Sequence, residues 1–205
     1  RTIQVDPQPT LAPRPTRHIP WLIALVVGVG LTMGLTVTSP VTLADNDQPH
    51  EDATVLARLQ NHLLHVVPKK PDMHGPLAQL IQTAAKEHGL DPFFLLGLVQ
   101  VESTYNPKAV SPKGALGLPQ MMPFLVKYYG FTPEEFVSCT PCQIRLAAYH
   151  FTTLMKRYGG RHDLALLAYN GNLKPSQAHY VLKIHTVSQK VSLKELTPKL
   201  KAQQI

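Results

Sequence analysis

Asp91-Pro92-Phe93-Phe94-Leu95-Leu96-Gly97-Leu98-Val99-Gln100-Val101-Glu102 is the stretch on which the fold turns. An aspartate followed by proline is an N-cap with proline at the first helical position, and Phe93 to Val101 is apolar on nearly every side. A helix without a polar face belongs in the centre of a domain. Its last charged residue is Glu102, whose i−3, i−4 and i−7 neighbours are Val99, Leu98 and Leu95. Two readings follow. Held among those side chains, near the negative end of a helix, the carboxyl keeps its proton at higher pH and suits general acid chemistry. Alternatively it turns to solvent where the helix ends.

Upstream, Pro76 to His88 carries Leu77, Leu80, Ile81, Ala84 and Ala85 on one stripe, with Gly89 as its stop. Glu51 to Val67 has Val55, Leu56, Leu59, Leu63 and Leu64 at helical spacing and ends at Pro68-Lys69-Lys70-Pro71, a short helix read as a spacer within a linker. Downstream, Thr132-Pro133-Glu134-Glu135 and Thr140-Pro141-Cys142-Gln143 each place Thr at N-cap and Glu or Gln at N3. The second opens a helix to about Tyr158, with Ile144, Ala147, Ala148, Phe151, Leu154 and Met155 inward and Gly159-Gly160 as the stop. Asp163 is read as the cap of Leu164 to Tyr169, and a last helix from about Ser176 to Val187 as using Val181, Leu182 and Ile184. No stretch alternates as strands do, so the body is mainly α.

The first third reads as an address. No Asp, Glu, Lys or Arg lies between His18 and Ala44, and Trp21 to Val37 is apolar enough for the roughly 17–25 residues of a membrane span. Arg14 and Arg17 precede it and Asp45, Asp47, Glu51 and Asp52 follow, which directs the chain after Ala44 out of the cytoplasm. Cleavage after Ala44 is the other reading. The expected layout is a cytoplasmic Pro-rich tail (1–20), an anchor or signal segment (21–38), a linker (39–71), a folded domain (72–190) and a basic tail (191–205). Net charge is +7 over 205 residues, from twenty basic and thirteen acidic side chains. That surplus suits nucleic acid, a membrane surface or an acidic wall polymer, and no aromatic-basic array favours nucleic acid.

Between the core helix and Pro123, Ser111-Pro112-Lys113-Gly114 forms a turn, Gly117 leaves the backbone bare, and Gln120-Met121-Met122 leads into a short helix. These features fit either the wall of a polymer groove or a plain Gly/Pro loop with methionines in the core. Taken in order, Gly89-Leu90-Asp91-Pro92, Glu102-Ser103, Asn106-Pro107, Ser111 to Leu118, Gln120-Met121-Met122-Pro123 and Ala168-Tyr169-Asn170 resemble the catalytic domain of the SLT-type lytic transglycosylases, over about Pro76 to Tyr180. The resemblance implies a lysozyme-like, mainly helical fold that cleaves the MurNAc–GlcNAc bond of peptidoglycan. It makes Glu102 the catalytic acid/base, lines the sugar groove with Ser111, Gln120 and Met122, and closes the site with Tyr169 and Asn170. Ser103, Gly114 and Gly117 become supporting residues. It further implies no cofactor or metal and glycan strands as substrate; the apolar segment puts the domain on the periplasmic side of the inner membrane or releases it there, and one small catalytic domain on an anchor suits a helper of a secretion or conjugation apparatus.

Three positions depart from the family pattern: Pro119 stands where Met is usual, Gly171-Asn172 follows Tyr169-Asn170 in place of Ala-Gly, and Gln143-Ile144 replaces Asn-Ile. No Asp or Glu lies between Glu102 and Glu134, so a second carboxylate at about 5–9.5 Å has no local candidate, and only a remote one such as Asp163 remains. That fits the family's scheme, in which the substrate's own N-acetyl group assists and a 1,6-anhydro end forms. A lysozyme-type hydrolase and a non-catalytic wall-binding scaffold are the rival readings. Cys139 and Cys142, as a lone C-x-x-C in an exported segment, read first as a local disulfide, then as free thiols or a zinc site. His62 and His65, one turn apart, read as surface histidines and not as metal ligands.

Overall fold

The computed structural model describes residues 48–193. The apolar segment Trp21 to Val37, residues 1–20 expected as a cytoplasmic tail, and the part of the expected basic tail beyond Leu193 lie outside the described residues. Among the described residues no helix is long and apolar enough to cross a membrane. In chain order the elements are α1 (Gln48–Val66), α2 (Pro71–His88), α3 (Pro92–Ser103), α4 (Pro123–Tyr128), α5 (Pro133–Ser138), α6 (Thr140–Arg157), α7 (His162–Tyr169), a single 3-10 turn (Pro175–Gln177) and α8 (Ala178–Leu193).

The centre is α3. The Asp91 side chain accepts a hydrogen bond from the Phe93 N–H at 2.8 Å, the capping contact expected of that residue. Leu95, Leu96, Leu98 and Val99 have no exposed surface, so the helix is surrounded on all sides. Each such side chain contributes about 1.5–3 kcal/mol through burial. The closest partner of α3 is α8. Gly97 makes that approach possible, because a Cβ there would stand 2.9 Å from the Ile184 carbonyl oxygen.

Several boundaries differ from the sequence reading. Helix α2 starts at Pro71, five residues earlier than expected, with Pro71 at the first position and Pro76 inside the helix. Pro76 removes only the bond to the Asp72 carbonyl, within the first turn and a half, where the cost is smallest. Helix α1 is no spacer. Leu59 and Leu63 are fully buried in the same core as α2 and α3, and Gln82 of α2 donates to the Asp52 carbonyl at 2.7 Å. Helix α8 runs on to Leu193, and its buried face is Tyr180, Ile184, Ser188 and Val191, whereas Leu182 is two-thirds exposed. The i, i+4 row through Ile184 decides the face; Val181, one turn before Ile184, is partly buried against the same core, and Leu182 lies off it.

The capping box at Thr132 is present, with Glu135 and Thr132 exchanging side-chain to backbone bonds at 2.9 and 3.2 Å. The second one is not. Cys139, not Thr140, caps α6, its sulfur accepting from the Cys142 N–H, and Gln143 is turned inward and fully buried. Asp163 sits in the first turn of α7, whose N-cap is Arg161 without a side-chain bond. A second, smaller apolar cluster of Leu116, Met121, Val126, Phe136 and Leu146 lies between the loop after α3 and α4 to α6.

Candidate active site

Glu102 ends α3 and is half-buried. The backbone turns immediately after it through two left-handed residues, Thr104 (φ 50°) and Tyr105 (φ 60°), neither of them glycine. Such residues cost of order 1–3 kcal/mol each and persist only where the surroundings enforce them. Tyr105 supplies the enforcement: its ring is wholly buried, and its hydroxyl donates to the Leu96 carbonyl and to Gln100 Oε1, each at 3.2 Å. The chain end of α3 is thereby fixed, and Glu102 with it. Ser103 closes the same turn, its hydroxyl donating to the Val99 carbonyl at 3.3 Å.

The carboxyl meets Tyr180 of α8, whose hydroxyl donates a short hydrogen bond to Glu102 Oε1. Burial pushes the Glu102 pKa up from 4.5 to about 7, and the Tyr180 bond opposes the rise by favouring the carboxylate. Tyr180 is itself held well above the usual phenol range by burial and by the carboxylate beside it, so it stays a neutral donor. Glu102 Oε2 has no hydrogen-bond partner among the described residues. One oxygen is positioned and the other is left for chemistry.

Tyr169, the last residue of α7, lies close enough to Glu102 that the carboxylate raises its pKa, with burial as the larger cause. Its hydroxyl donates to the Pro119 carbonyl at 3.1 Å, joining α7 to the loop after α3. Behind it stands His150 of α6, ring to ring at 5.4 Å, which hydrogen-bonds Tyr129 at 2.8 Å. Burial, with Arg157 adding to it, lowers the His150 pKa to about 4, so this imidazole is neutral near pH 7.

Residues 107–121 form the loop that Tyr169 touches. Gly114 N–H donates to the Ser111 carbonyl at 2.8 Å and the Ser111 hydroxyl accepts from Ala115 N–H at 3.0 Å, so Ser111 is the hinge of its own turn. Gln120, in left-handed conformation, folds its amide back onto the Gly117 and Ala109 carbonyls at 2.9 and 3.3 Å. Met122 is half-buried where α4 begins. Beneath the loop lies Gln143. Its Oε1 accepts from Leu118 N–H at 2.7 Å, while its Nε2 lies within 3.1–3.2 Å of the Pro107, Phe136 and Val137 carbonyls. Gly117 is bare for this reason: its φ is +69°, and a Cβ would fall 2.4 Å from Gln143 Oε1.

The structure thus brings Glu102 and Tyr169 together, ties the loop of Ser111, Gly114, Gly117 and Gln120 to them through Pro119, and leaves Asn170 exposed, its amide on Gln177 at 3.2 Å. Sequence reasoning missed Tyr180, Tyr105 and Gln143. Only Gln143 carried a signal, as a family departure, and its role at a capping-box position was misassigned. Cys139 and Cys142 form a disulfide that closes the corner between α5 and α6 beside Gln143. No cluster of three or more metal-ligating side chains occurs among the described residues.

Residues 79–179 match the family described as the Transglycosylase SLT domain. They are an SLT domain. The chain is 36% identical over 114 residues to the transglycosylase of Enterobacteria phage PRD1, a match over 55% of this chain and 40% of that protein. It is 33% identical over 84 residues to the membrane-bound lytic murein transglycosylase C of Glaesserella parasuis serovar 5 (strain SH0165), over 38% of this chain and 23% of that one. The chain therefore spans well under half the length of these curated relatives. An inactive mutant of the lytic transglycosylase Slt from Pseudomonas aeruginosa shares the fold, with a TM-score of 0.51 at 16% identity over 71% of this chain and 32% of that one.

Proposed function

We propose that the SLT domain is a peptidoglycan lytic transglycosylase in which Glu102 acts first as acid and then as base. The observation that carries this reading is a half-buried carboxyl with a pKa of about 7, anchored by Tyr180 at one oxygen and unpartnered at the other. A group with that pKa is present in both forms near neutrality, which is what a residue that gives and then takes a proton requires. Protonated Glu102 donates to the oxygen bridging MurNAc and GlcNAc as the glycosidic bond breaks. The substrate's N-acetyl oxygen stabilises C1. The Glu102 carboxylate then removes the proton of the C6 hydroxyl, whose oxygen closes onto C1 to give the 1,6-anhydro end, with no water consumed.

A single-carboxylate scheme is supported by where the other acids lie. Asp163 and Asp91 both act on the charge of His162, placing Asp163 at the N-terminal end of α3. Glu102 is at the other end, eleven residues or about 16 Å along the axis. A two-carboxylate glycosidase needs about 5–9.5 Å. Tyr169, Pro119, Ser111, Gln120 and Met122 then border the glycan, the first two linked by their hydrogen bond and the rest carried on the same loop or its end.

The apolar segment Trp21 to Val37 and the Cys139–Cys142 disulfide both suit a domain held on, or released from, the outer face of the inner membrane, where thiols oxidise. An anchored domain of this size suits local opening of the wall for an envelope-spanning secretion or conjugation apparatus. Incubating the protein with purified peptidoglycan and weighing the soluble fragments tests the activity. Fragments one water lighter than reducing-end muropeptides are expected. Reducing ends would mean a hydrolase, and binding without release a wall-binding scaffold.

A further inference from the structure

Away from Glu102, helices α1 and α8 enclose a recess of about 390 Å³ lined by Arg58, Asn61, His62, His65, Val66, Lys190 and Val191. None of these residues is acidic. Neither Arg58 nor Lys190 has an acidic partner among the described residues, and Asp52 of α1 is engaged with Lys86 of α2. Arg58 and Lys190 are two cations on one concave surface with no acid to balance them, an arrangement that an anion relieves.

The Arg58 cation is also held in place. The Arg58 guanidinium lies 4.7 Å over the Phe93 ring and donates through one Nη to the Val191 carbonyl at 2.9 Å. Its Nε is buried with no hydrogen-bond partner, so the group is left short of acceptors. His62 is half-buried, not a surface histidine, and its Nε2 bonds Gln100 Oε1 at 2.6 Å. His65 Nδ1 is tied to the Asn61 carbonyl at 2.6 Å, which turns the other ring nitrogen away from its own helix. A guanidinium fixed by stacking needs little reordering to meet an oxyanion.

We propose that this recess is a binding site for a phosphate group, contacted by Arg58, Lys190 and His65 from two helices. A doubly charged, three-oxygen group matches several donors arriving from different directions better than a two-oxygen carboxylate does. The site is separate from the catalytic carboxyl. Gln100 and Glu102 are about 160° apart around α3, and Lys190 is ten residues, about 15 Å, along α8 from Tyr180.

Calorimetric titration of the full chain in non-ionic detergent at low ionic strength tests this, using inorganic phosphate, glycerol 3-phosphate and acetate as probes. Saturable binding of a phosphate probe is expected, at least tenfold weaker in a Lys190→Gln, His65→Gln double variant, with peptidoglycan cleavage by that variant unchanged. Glu102→Gln is expected to bind phosphate as the parent does. Tighter binding of glycerol 3-phosphate would identify an organic phosphate monoester as the source, and tighter binding of inorganic phosphate a free ion. Absence of saturable binding by both phosphates, equal binding of acetate, or undiminished binding by the double variant would overturn the proposal.

Discussion

Along α3, Leu95, Leu96, Leu98 and Val99 are held by close packing alone, whereas residues 107–121, on the other side of Tyr169, are held by one buried amide and a set of backbone hydrogen bonds. The first region is built from side chains that carry no polar atom. The second is organised around one, and its own apolar cluster is small. The contrast shows how one short chain can hold a proton donor rigidly while shaping the surface beside it. Dispersion and burial supply the fixed end, and hydrogen-bond geometry dictates the loop conformation.

Replacing the carboxyl at the junction of the two regions has the largest expected effect. Glu102→Gln should lower glycan cleavage by roughly 10²–10⁴-fold with an unchanged circular dichroism spectrum. The same variant should be more stable than the parent at pH 8. Because the folded-state pKa is raised to about 7, the stability Glu102 contributes is complete below its unfolded value near 4.5 and is lost as pH rises through 7. A gain of roughly 2 kcal/mol is expected above pH 7, and none below pH 4. Thermal melts across that range read the difference directly.

Within the packed region, Leu95→Ala should cost about 2–5 kcal/mol and lower the whole unfolding transition. In the hydrogen-bonded region Gln143→Leu leaves Leu118 N–H and three carbonyls without their amide partner, at a cost of about 1–3 kcal/mol. Its signature is local: faster amide exchange at Leu118 with slow exchange retained along α3. If exchange accelerates equally in both, the two regions are one cooperative unit and the contrast fails.

Tyr180→Phe sharpens the comparison from the other side. Tyr180 favours the carboxylate, so its loss should raise the Glu102 pKa further and move the alkaline limb of the pH–rate profile upward. A limb that stays in place would remove Tyr180 from the account. The smallest effect belongs to Leu182→Ala, within about 0.5 kcal/mol, because that side chain is mostly exposed despite its apolar neighbours.

Those neighbours show what sequence can and cannot convey. Helix α3 was legible because a helix apolar on all sides has one place to go, and Glu102 because it ends that run. On α8, Val181, Leu182 and Ile184 look like a stripe, yet Leu182 faces out, and beside Val181 and Ile184 the buried row passes through Tyr180 and Ser188, residues with no apolar pattern of their own. Tyr180 was invisible as a site residue because its partner lies 78 positions away. Gln143 imitates a capping-box glutamine at N3, and only the loop lying over it reveals why the amide is buried. Helix α1 looked separable because prolines follow it, whereas Leu59 and Leu63 commit it to the core. Local spacing gives elements and faces. Long-range hydrogen bonds give the site.

Carbon-13 titration of the Glu102 side-chain carboxyl, by NMR on the intact protein, tests the central claim most directly. A midpoint near pH 7 is expected, moving higher in Tyr180→Phe. A midpoint near 4.5, the value of a carboxyl in water, would show Glu102 as an ordinary ionised side chain and contradict its place as the proton donor.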